Sequence, residues 1–284
     1  MSHPPLPMWD IKTVNPDGRL FIFEGQHGSG KTTLLRHVVN QMTEIQDWIA
    51  YSPTQGGYRF FSKMFTPAFT YNFVPTDENL QEIMDKQKLE EDLEIATADL
   101  PEGDPNKHRM RVLGLVIDDC GSHKKLMRNS PKLKELLMNQ RHMRIHIFIT
   151  LQYICQFDPE NYSQVDYMFI LNAQDPQNMK VIYEKFAKGR LQVATGTWMK
   201  RREEERLQHY LQYYTRKGCA LVVDKTGTTY LQHYTFPKDP ECVAMGDEMF
   251  QKTAREHCED KPTKTTKEIE EQIRRQYYTR FVRK

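Results

Sequence analysis

Residues 19 to 39 decide the fold class, and they read RLFIFEGQHGSGKTTLLRHVV. The run from Leu20 to Phe23 is apolar and rich in β-prone residues, which predicts a short buried strand. A glycine-rich turn follows, and after Lys31 the apolar residues recur at helical spacing. A strand, a glycine loop and a helix in this order predict a loop that binds phosphate groups at the start of the helix.

The glycine loop fits the pattern G-x-x-x-x-G-K-T of P-loop nucleotide-binding proteins. Glycines allow successive backbone N–H groups to point at the phosphates, and the dipole of the following helix favours their negative charge. We expect Lys31 to bridge the β- and γ-phosphates of ATP, and the Thr32 hydroxyl to bind Mg²⁺. The predicted nucleotide-binding residues are Gly25, Gln26, His27, Gly28, Ser29, Gly30, Lys31, Thr32 and Thr33.

Two aspartates follow the apolar run 112–117, where a buried strand is expected to end. A nucleotide site of this type needs a carboxylate for magnesium at the end of a neighbouring strand. We therefore predict that Asp118 binds Mg²⁺, directly or through water. Asp119 follows at the position where hydrolytic enzymes place the carboxylate that orients the attacking water. The second acid favours hydrolysis over phosphate transfer to a small molecule.

A third polar site follows the apolar run 145–150. Gln152 comes at its end, where its amide is expected to contact the γ-phosphate or a water molecule. Arg141 lies eleven residues earlier, at the other end of the same strand. A strand of this length spans about 20 to 25 Å. Arg141 is therefore too far away to serve its own nucleotide, although it can reach the nucleotide of a neighbouring subunit.

The order of elements predicts an α/β fold. Strands alternate with helices, as expected of a three-layer αβα sandwich with a mostly parallel central sheet. The predicted strands occupy residues 19–23, 47–51, 112–117, 145–150 and 167–171, with a late hairpin formed by 218–223 and 228–234. Helices are expected at 32–39, 76–98 and 131–140.

Charge and composition mark out further segments. The P-loop domain is predicted to span residues 17–240, with an acidic insertion at about 76–105, an N-terminal extension at 1–16 and a basic helical tail at 241–284. Five cysteines are widely spread without a C-x-x-C pair, which indicates reduced thiols rather than disulfides or zinc. The sequence contains no apolar run long enough for a membrane span and no secretory leader pattern, so we expect a protein that is not secreted.

Together these motifs resemble the FtsK/HerA class of ring-forming, DNA-pumping ATPases, and in particular the genome-packaging ATPases of poxviruses and other large DNA viruses. The matching segments are GQHGSGKT at 25–32, VIDDC at 116–120, NQRHMRIHIFITLQ at 139–152 and DYMFILN at 166–172. The family often has glutamate where this chain has Asp119, and the paired-aspartate form resembles the viral branch. The similarity covers roughly residues 18 to 175.

The resemblance implies an ATP hydrolase that drives double-stranded DNA into a capsid. It places Arg141 as an arginine finger acting on the next subunit of an oligomeric ring, and Gln152 as the polar sensor of the γ-phosphate. It also implies a capsid or portal component as a possible partner. The expected locations are the viral assembly site in the host cytoplasm and the virion.

Two other functions remain open from the sequence. The segment FIFEG followed by GSGKTT also resembles thymidylate and deoxynucleoside kinases, but the chain contains no Asp-Arg dipeptide, which those enzymes need. A nucleotide-driven switch that binds another protein is the second alternative, and it would have no use for an arginine finger. Two interpretations remain open for a group of basic and aromatic residues: contacts with DNA, or an ordinary amphipathic helix whose aromatic stripe belongs to the core. These residues are Trp198, Lys200, Arg201, Arg202, Arg206, Tyr210, Tyr213, Tyr214, Arg216 and Lys217. The basic tail is a candidate for contacts with DNA or with a capsid component.

Overall fold

The computed structural model describes residues 5–172, 175–188, 199–227, 229–240 and 242–259. In these ranges the chain forms strands β1 (Leu20–Gly25), β2 (Asp47–Tyr51), β3 (Thr70–Tyr71), β4 (Leu113–Ile117), β5 (Ile145–Leu151), β6 (Tyr167–Leu171), β7 (Cys219–Asp224) and β8 (Leu231–Thr235). They make one sheet in the order β3-β2-β4-β5-β1-β6-β7-β8. Strands β1 to β6 are parallel, whereas β7 and β8 pair antiparallel as the predicted hairpin.

Helices cover both faces of this sheet. They are α1 (Lys31–Val39), α2 (Gln55–Phe65), α3 (Asp77–Ala96), α4 (Lys124–Asn129), α5 (Pro131–Asn139), α6 (Pro176–Val181), α7 (Met199–Tyr214) and α8 (Glu248–Glu259). A short π-helical segment, Ile182–Ala187, continues α6. Helices α1, α2 and α8 contribute to one apolar core, and α3 to α7 contribute to the other. The predicted three-layer αβα sandwich is therefore confirmed.

Burial on both faces explains the continuous apolar runs in the central strands. All residues of β1, β4, β5 and β6 are buried, which is the pattern of a parallel sheet covered by helices. Alternate residues enter opposite cores. In β5, for example, Ile147 and Ile149 face one core and Phe148 faces the other. Thr150 lies on the Phe148 face, because side chains two residues apart share a face.

The acidic insertion forms the 20-residue helix α3. Its first turn is stabilised by a capping box, in which the Thr76 hydroxyl accepts the Asn79 N–H and the Asn79 side chain accepts the Thr76 N–H. Leu80, Ile83 and Met84 are buried in the core beneath the helix. Glu78, Asp85, Glu91 and Asp92 are exposed, whereas Glu90 is buried. The insertion is thus part of the helical layer.

Both flanking segments pack against the sheet where the structure describes them. Trp9 of the N-terminal extension is buried, and its ring makes edge contacts with Tyr167, Phe169 and Tyr234. In the C-terminal segment, Phe250 of α8 stacks on Phe69 at a centroid distance of 4.7 Å. The basic residues predicted for the tail from 261 onward lie outside the described residues. None of the described helices has the combination of length and low polarity that a membrane span requires.

Candidate functional site

The phosphate loop joins the end of β1 to the start of α1, as predicted. Gly28 and Gly30 have φ angles of 75° and 98°, in the left-handed region that residues with a side chain rarely adopt. At Gly25 a Cβ atom would lie 2.3 Å from the carbonyl oxygen of Leu171 on the neighbouring strand. Only glycine fits there, so the loop can pass close to β6. The N-cap residue Gly30 provides no side-chain cap, which leaves the first N–H groups of α1 available to an anion.

Lys31 lies over the loop that precedes it. Its Nζ donates to the carbonyl oxygens of Gly25 at 2.6 Å and Gln26 at 3.0 Å. Burial lowers the pKa of Lys31, while the charges of Asp119 and Asp118 act in the opposite direction. Phosphate groups in the loop would offer Nζ charged acceptors in place of the two neutral carbonyls. In this structure Lys31 therefore lies against the phosphate loop, with two neutral carbonyl oxygens as its acceptors.

Thr32 and Thr33 belong to the first turn of α1 and are half-buried. Ser29 is also half-buried, and its hydroxyl oxygen has no hydrogen-bond partner among the described residues. Gln26 is half-buried, whereas His27 at the tip of the loop is exposed. Polar hydroxyl groups therefore surround the uncapped helix start, in agreement with a phosphate and metal site.

Asp118 is held in a fixed orientation at the end of β4. It is buried, and its two carboxylate oxygens accept hydroxyl hydrogen bonds from Ser52 at 3.0 Å and from Thr150 at 2.8 Å. Ser52 follows β2 and Thr150 lies near the end of β5, so both neighbouring strands orient the carboxylate. Burial raises the pKa of Asp118, the charge of Asp119 raises it further, and the two hydroxyl bonds oppose this. A nearby cation would stabilise the ionised form.

Asp119 has a different environment. It is exposed and has a φ of 53°, a left-handed conformation that aspartate tolerates better than most residues. Its N–H donates to the Thr150 hydroxyl at 2.8 Å. The same hydroxyl thus accepts from the backbone of Asp119 and donates to the side chain of Asp118. This arrangement turns the second carboxylate away from the strand and toward solvent, where it can reach a water molecule.

Gln152 follows β5 and is aligned with the phosphate loop. Glu24 of β1 pairs with Leu151 of β5, so the next residues along the two strands are Gly25 and Gln152. The N–H of Gln152 donates to the Gln156 side chain at 3.2 Å, which folds the chain into a tight turn after the strand. Thr150 lies on the face of the sheet that packs against α1, and Gln152 comes directly after the strand, at the carboxyl end of β5.

The order of strands brings the predicted groups together. Strand β5 lies between β1 and β4, so Gln152 lies between the phosphate loop and Asp118 at the carboxyl edge of the sheet. In open α/β sheets this edge is where ligands bind. Lys31, Thr32, Asp118, Asp119 and Gln152 all belong to it. The sequence-predicted site residues therefore converge, with the exception of Arg141.

The carboxyl edge also has the donor set that magnesium needs. Among the described residues there is no cluster of three or more His, Cys, Asp or Glu side chains that could enclose a metal ion. Magnesium in nucleotide sites commonly uses one or two carboxylates together with phosphate oxygens, and needs no complete protein cage. The preoriented carboxylate of Asp118 and the hydroxyl of Thr32 fit that arrangement.

Arg141 lies at the opposite, amino edge of the sheet. Its side chain is 57% exposed, and its Nη2 donates to the buried carboxylate of Asp166 at 2.7 Å. The other oxygen of Asp166 accepts the Leu20 N–H at 2.9 Å. Leu20 begins β1, the strand whose far end leads into the phosphate loop. The predicted separation between Arg141 and the nucleotide site of its own chain is thus observed.

Several residues of the site were not identified from the sequence. Ser52 lies directly after the predicted strand 47–51, and Thr150 was included in the apolar run 145–150. The polar Thr150 at the end of an otherwise apolar run was the available signal. Gly57 of α2 was also missed: a Cβ atom there would lie 2.8 Å from Asp118 Oδ2 and 2.0 Å from Ser52 Oγ. No linear pattern indicates that close approach.

Curated relatives of the chain come from large DNA viruses. No model of a known protein family matches the sequence. An uncharacterized protein of Acanthamoeba polyphaga mimivirus is 26% identical over 171 residues, which are 57% of this chain and 55% of that protein. An uncharacterized protein of Invertebrate iridescent virus 6 is 27% identical over 190 residues, which are 63% of this chain and 67% of that protein. The matches thus span about half to two thirds of the length of these relatives.

Solved structures share the fold at low sequence identity. The DNA-packaging ATPase B204 of Sulfolobus Turreted Icosahedral Virus is 15% identical with a TM-score of 0.50, and the match covers 79% of this chain and all of B204. The conjugation coupling protein TcpA of pCW3 is 14% identical with a TM-score of 0.51, over 83% of this chain and 71% of TcpA. A segment of EssC from Geobacillus thermodenitrificans that contains ATPases 2 and 3 is 14% identical with a TM-score of 0.50, over 93% of this chain and 44% of that segment. The chain therefore shares the α/β fold of these three proteins, as its order of elements predicted.

Proposed function

We propose that this chain is an ATP-hydrolysing DNA translocase that packages a double-stranded viral genome. The observation that carries the proposal is the convergence of Lys31, Asp118, Asp119 and Gln152 at one edge of the sheet, next to an uncapped helix start. This edge of the sheet thus contains a candidate group for phosphate binding, one for metal binding and one for the activation of water. The packaging role is supported by the resemblance of the motifs to viral packaging ATPases and by the fold shared with B204.

Each group in the site has a separate part in hydrolysis. The Lys31 ammonium exchanges the carbonyl oxygens of Gly25 and Gln26 for phosphate oxygens, and the first N–H groups of α1 bind the same phosphates. Thr32 and Asp118 would hold Mg²⁺, and the metal would supply positive charge that neutralises the phosphates. Asp119 orients the attacking water, and Gln152 contacts the γ-phosphate. The preorganised orientation of Asp118 lowers the cost of assembling this arrangement.

Arg141 supports a ring in which each subunit completes the site of its neighbour. A guanidinium at the amino edge cannot reach the nucleotide of its own chain, yet it is largely exposed and can project from the surface. Arginine fingers stabilise charge on the transferring phosphoryl group and accelerate hydrolysis by about 10³- to 10⁵-fold. We expect the active form to be a homo-oligomeric ring that works with a capsid or portal component at the viral assembly site in the host cytoplasm, and that is retained in the virion.

DNA contacts are proposed for the exposed side of α7. Tyr213 is 53% exposed, Arg216 lies over its ring at 4.9 Å, and His209 stacks against it. Tyr210 and Tyr214 of the same helix are buried in the core, so they are structural. A cation held on an exposed aromatic ring suits a phosphate backbone that is gripped without sequence readout. Trp198 and the side chains of Lys200, Arg201 and Arg202 lie outside the described part of the chain.

Steady-state ATP hydrolysis, measured with and without long double-stranded DNA, tests the proposal. We expect DNA to stimulate hydrolysis several-fold, because a translocase couples turnover to movement along its substrate. The substitutions Lys31→Ala and Asp118→Ala should each abolish turnover, since they remove the phosphate cation and the metal carboxylate. Lys132→Ala on the surface of α5, where Lys132 is 33% exposed and pairs with Glu135, is the matched control for Lys31→Ala and should leave turnover unchanged.

Two results would overturn this function. Phosphate transfer from ATP to added deoxynucleoside monophosphates, without DNA stimulation, would identify a nucleotide kinase. Nucleotide binding without either activity, in a protein that remains monomeric, would identify a nucleotide-driven switch.

A further inference from the structure

Asn178 is a buried amide that lies between the phosphate loop and the segment that carries Gln152. It belongs to α6 and has 0% exposure. Its Nδ2 donates to Glu24 Oε1 at 2.7 Å, and its Oδ1 accepts the N–H of Ile154 at 2.8 Å. Its own N–H donates to the side chain of the N-cap residue Asp175 at 2.8 Å. Every polar atom of the side chain is thus used, and each bond leads to a different part of the site.

The two partners of the Asn178 side chain adjoin the two halves of the nucleotide site. Glu24 is the last residue before Gly25, where the phosphate loop begins. Ile154 is two residues after Gln152, and the turn between them is closed by Gln156, whose Oε1 accepts the N–H groups of Gln152 and Tyr153, each at 3.2 Å. A displacement of the phosphate loop therefore has a direct hydrogen-bonded connection to the Gln152 turn.

The environment of Glu24 is unusual for an acid that only stabilises the fold. Its carboxyl group is buried, and Oε2 has no hydrogen-bond partner among the described residues. Burial raises the pKa of Glu24 to about 8, while the Asn178 bond and the charge of Lys31 act against this and the charge of Asp175 adds to it. Because Oε2 has no partner, the contacts seen in this structure do not fully fix the position of the Glu24 side chain.

We propose that Asn178 is a positioning residue that, through Glu24, transmits nucleotide binding in the phosphate loop to the turn that carries Gln152. This inference rests on the proposed function, because the Gln152 turn matters only if ATP occupies the loop. When Lys31 exchanges its loop carbonyls for phosphate oxygens, the backbone around Gly25 is released from that contact. The chain Glu24–Asn178–Ile154 carries the resulting shift to the Gln152 turn, as a contiguous hydrogen-bond network can.

Hydrogen–deuterium exchange of the full chain, with and without ATPγS, tests this coupling independently of hydrolysis. In the wild type we expect ATPγS to increase protection in the peptide that covers residues 152–156. Asn178→Leu has nearly the same size but makes neither bond, and it should bind ATPγS while losing that increase. Gln177→Leu is the matched control, since Gln177 is an exposed neighbour on the same helix. It should retain the increase.

A second pair of substitutions keeps the test decisive if Asn178→Leu fails to fold. Glu24→Leu removes the same link from its other end, and the leucine is suited to the buried surroundings. Glu24→Gln keeps an acceptor for Asn178 Nδ2. We expect Glu24→Leu to lose the nucleotide-dependent protection and Glu24→Gln to retain it. A merely structural role for the network would predict equal protection changes in both Glu24 variants.

Turnover provides the second measurement. Asn178→Leu and Glu24→Leu should lower kcat by up to about 100-fold with little change in KM, because a small misplacement of a group that contacts the reacting phosphate has effects of that size. An unchanged kcat together with unchanged protection would overturn the coupling. If the wild type binds ATPγS without hydrolysing ATP, the proposed function fails, and the exchange measurement alone decides the coupling. Absence of any ATPγS binding by the wild type would reject both.

Discussion

At the scale of single residues, the nucleotide site depends on buried polar groups with assigned partners. Asp118 accepts one hydroxyl hydrogen bond on each oxygen, and Thr150 connects Asp118 to the backbone of Asp119. Buried carboxyl groups are costly unless they are paired, protonated or bound to a metal. Each oxygen of Asp118 has a hydroxyl partner, and the carboxylate lies where we propose that Mg²⁺ binds, whereas Glu24 has one bonded oxygen and one without a partner among the described residues. Burial raises the pKa of both acids.

The raised pKa of Glu24 predicts a specific dependence of stability on pH. Its folded-state pKa is about 8, above the 4.5 of an exposed glutamate, so between these values the folded state holds a proton that the unfolded state has lost. The contribution of Glu24 to the free energy of unfolding is therefore complete below pH 4.5 and is lost as pH rises toward 8. Glu24→Gln does not titrate, so its stability relative to wild type should rise by up to about 1.4 kcal/mol per pH unit in this window.

Urea unfolding of wild type and Glu24→Gln at several pH values between 5 and 8 measures this difference. Glu44→Gln applies the same substitution to an exposed glutamate and serves as control, with a constant offset from wild type expected. Parallel curves for wild type and Glu24→Gln would show that the folded state does not hold the extra proton.

At the scale of secondary-structure elements, one ion-pair cluster connects the amino edge of the sheet to both helical layers. Arg111, just before β4, donates to both oxygens of Asp47 on β2, at 2.6 and 3.0 Å, and to Asp247 at the start of α8. Lys86 of α3 donates to Asp47 at 2.6 Å. Although burial raises the pKa of Asp47, the charges of Lys86 and Arg111 bring it down to about 2. The cluster fixes the acidic insertion and the C-terminal segment to the P-loop domain.

Arg111→Ala should therefore destabilise the fold by about 3 kcal/mol, because removal of one partner leaves a buried charge partly uncompensated. The control is Arg109→Ala, two residues earlier. Arg109 is 75% exposed and pairs with the exposed Glu102, and such surface pairs contribute less than about 1 kcal/mol. Chemical denaturation of the two variants measures the difference. Equal stabilities would mean that solvent compensates Asp47 once Arg111 is removed.

Elements that carry a linear signal could be predicted from the sequence. The strands β1, β4, β5 and β6 appear as continuous apolar runs because both of their faces are buried, and the phosphate loop has a fixed spacing of glycines and lysine. No element was predicted between residues 51 and 76, where α2 and β3 form, because the large aromatic residues of this region belong both to a helix and to the core beneath it. Ser52 and Gly57 approach Asp118, which lies 66 and 61 positions away in the chain, and Asn178 bonds Glu24, which lies 154 positions away. These three residues are functional candidates because of those contacts, which no local pattern records.

At the scale of the whole molecule, the two edges of the sheet have different proposed tasks. The carboxyl edge binds the nucleotide, and the amino edge presents Arg141 to a neighbouring subunit. Asp166 holds this arginine by a single bond to Nη2, which leaves the rest of the guanidinium available at the surface. Subunits arranged head to tail would place the Arg141 of one chain at the nucleotide of the next, and such heterologous contacts form a ring when the rotation between subunits closes. The Arg141 edge of one chain and the nucleotide edge of a neighbouring chain would thus form a complete site, whereas the two edges of a single chain would not.

A mixing experiment tests this arrangement directly. Arg141→Ala should bind ATPγS as wild type does but lose hydrolysis, while Lys31→Ala keeps its arginine and has no functional phosphate loop. Mixed in equal amounts under conditions that allow subunit exchange, the two inactive variants should recover part of the wild-type turnover, because a Lys31→Ala subunit supplies its Arg141 to an intact neighbouring loop. A mixture of Lys31→Ala with Asp118→Ala is the control and should remain inactive, since both substitutions damage the loop side of the same site.

If mixed oligomers form but the first mixture recovers no activity, Arg141 acts within its own chain, through its bond to Asp166. Loss of ATPγS binding in Arg141→Ala alone would equally exclude a finger that acts only on the neighbouring transition state.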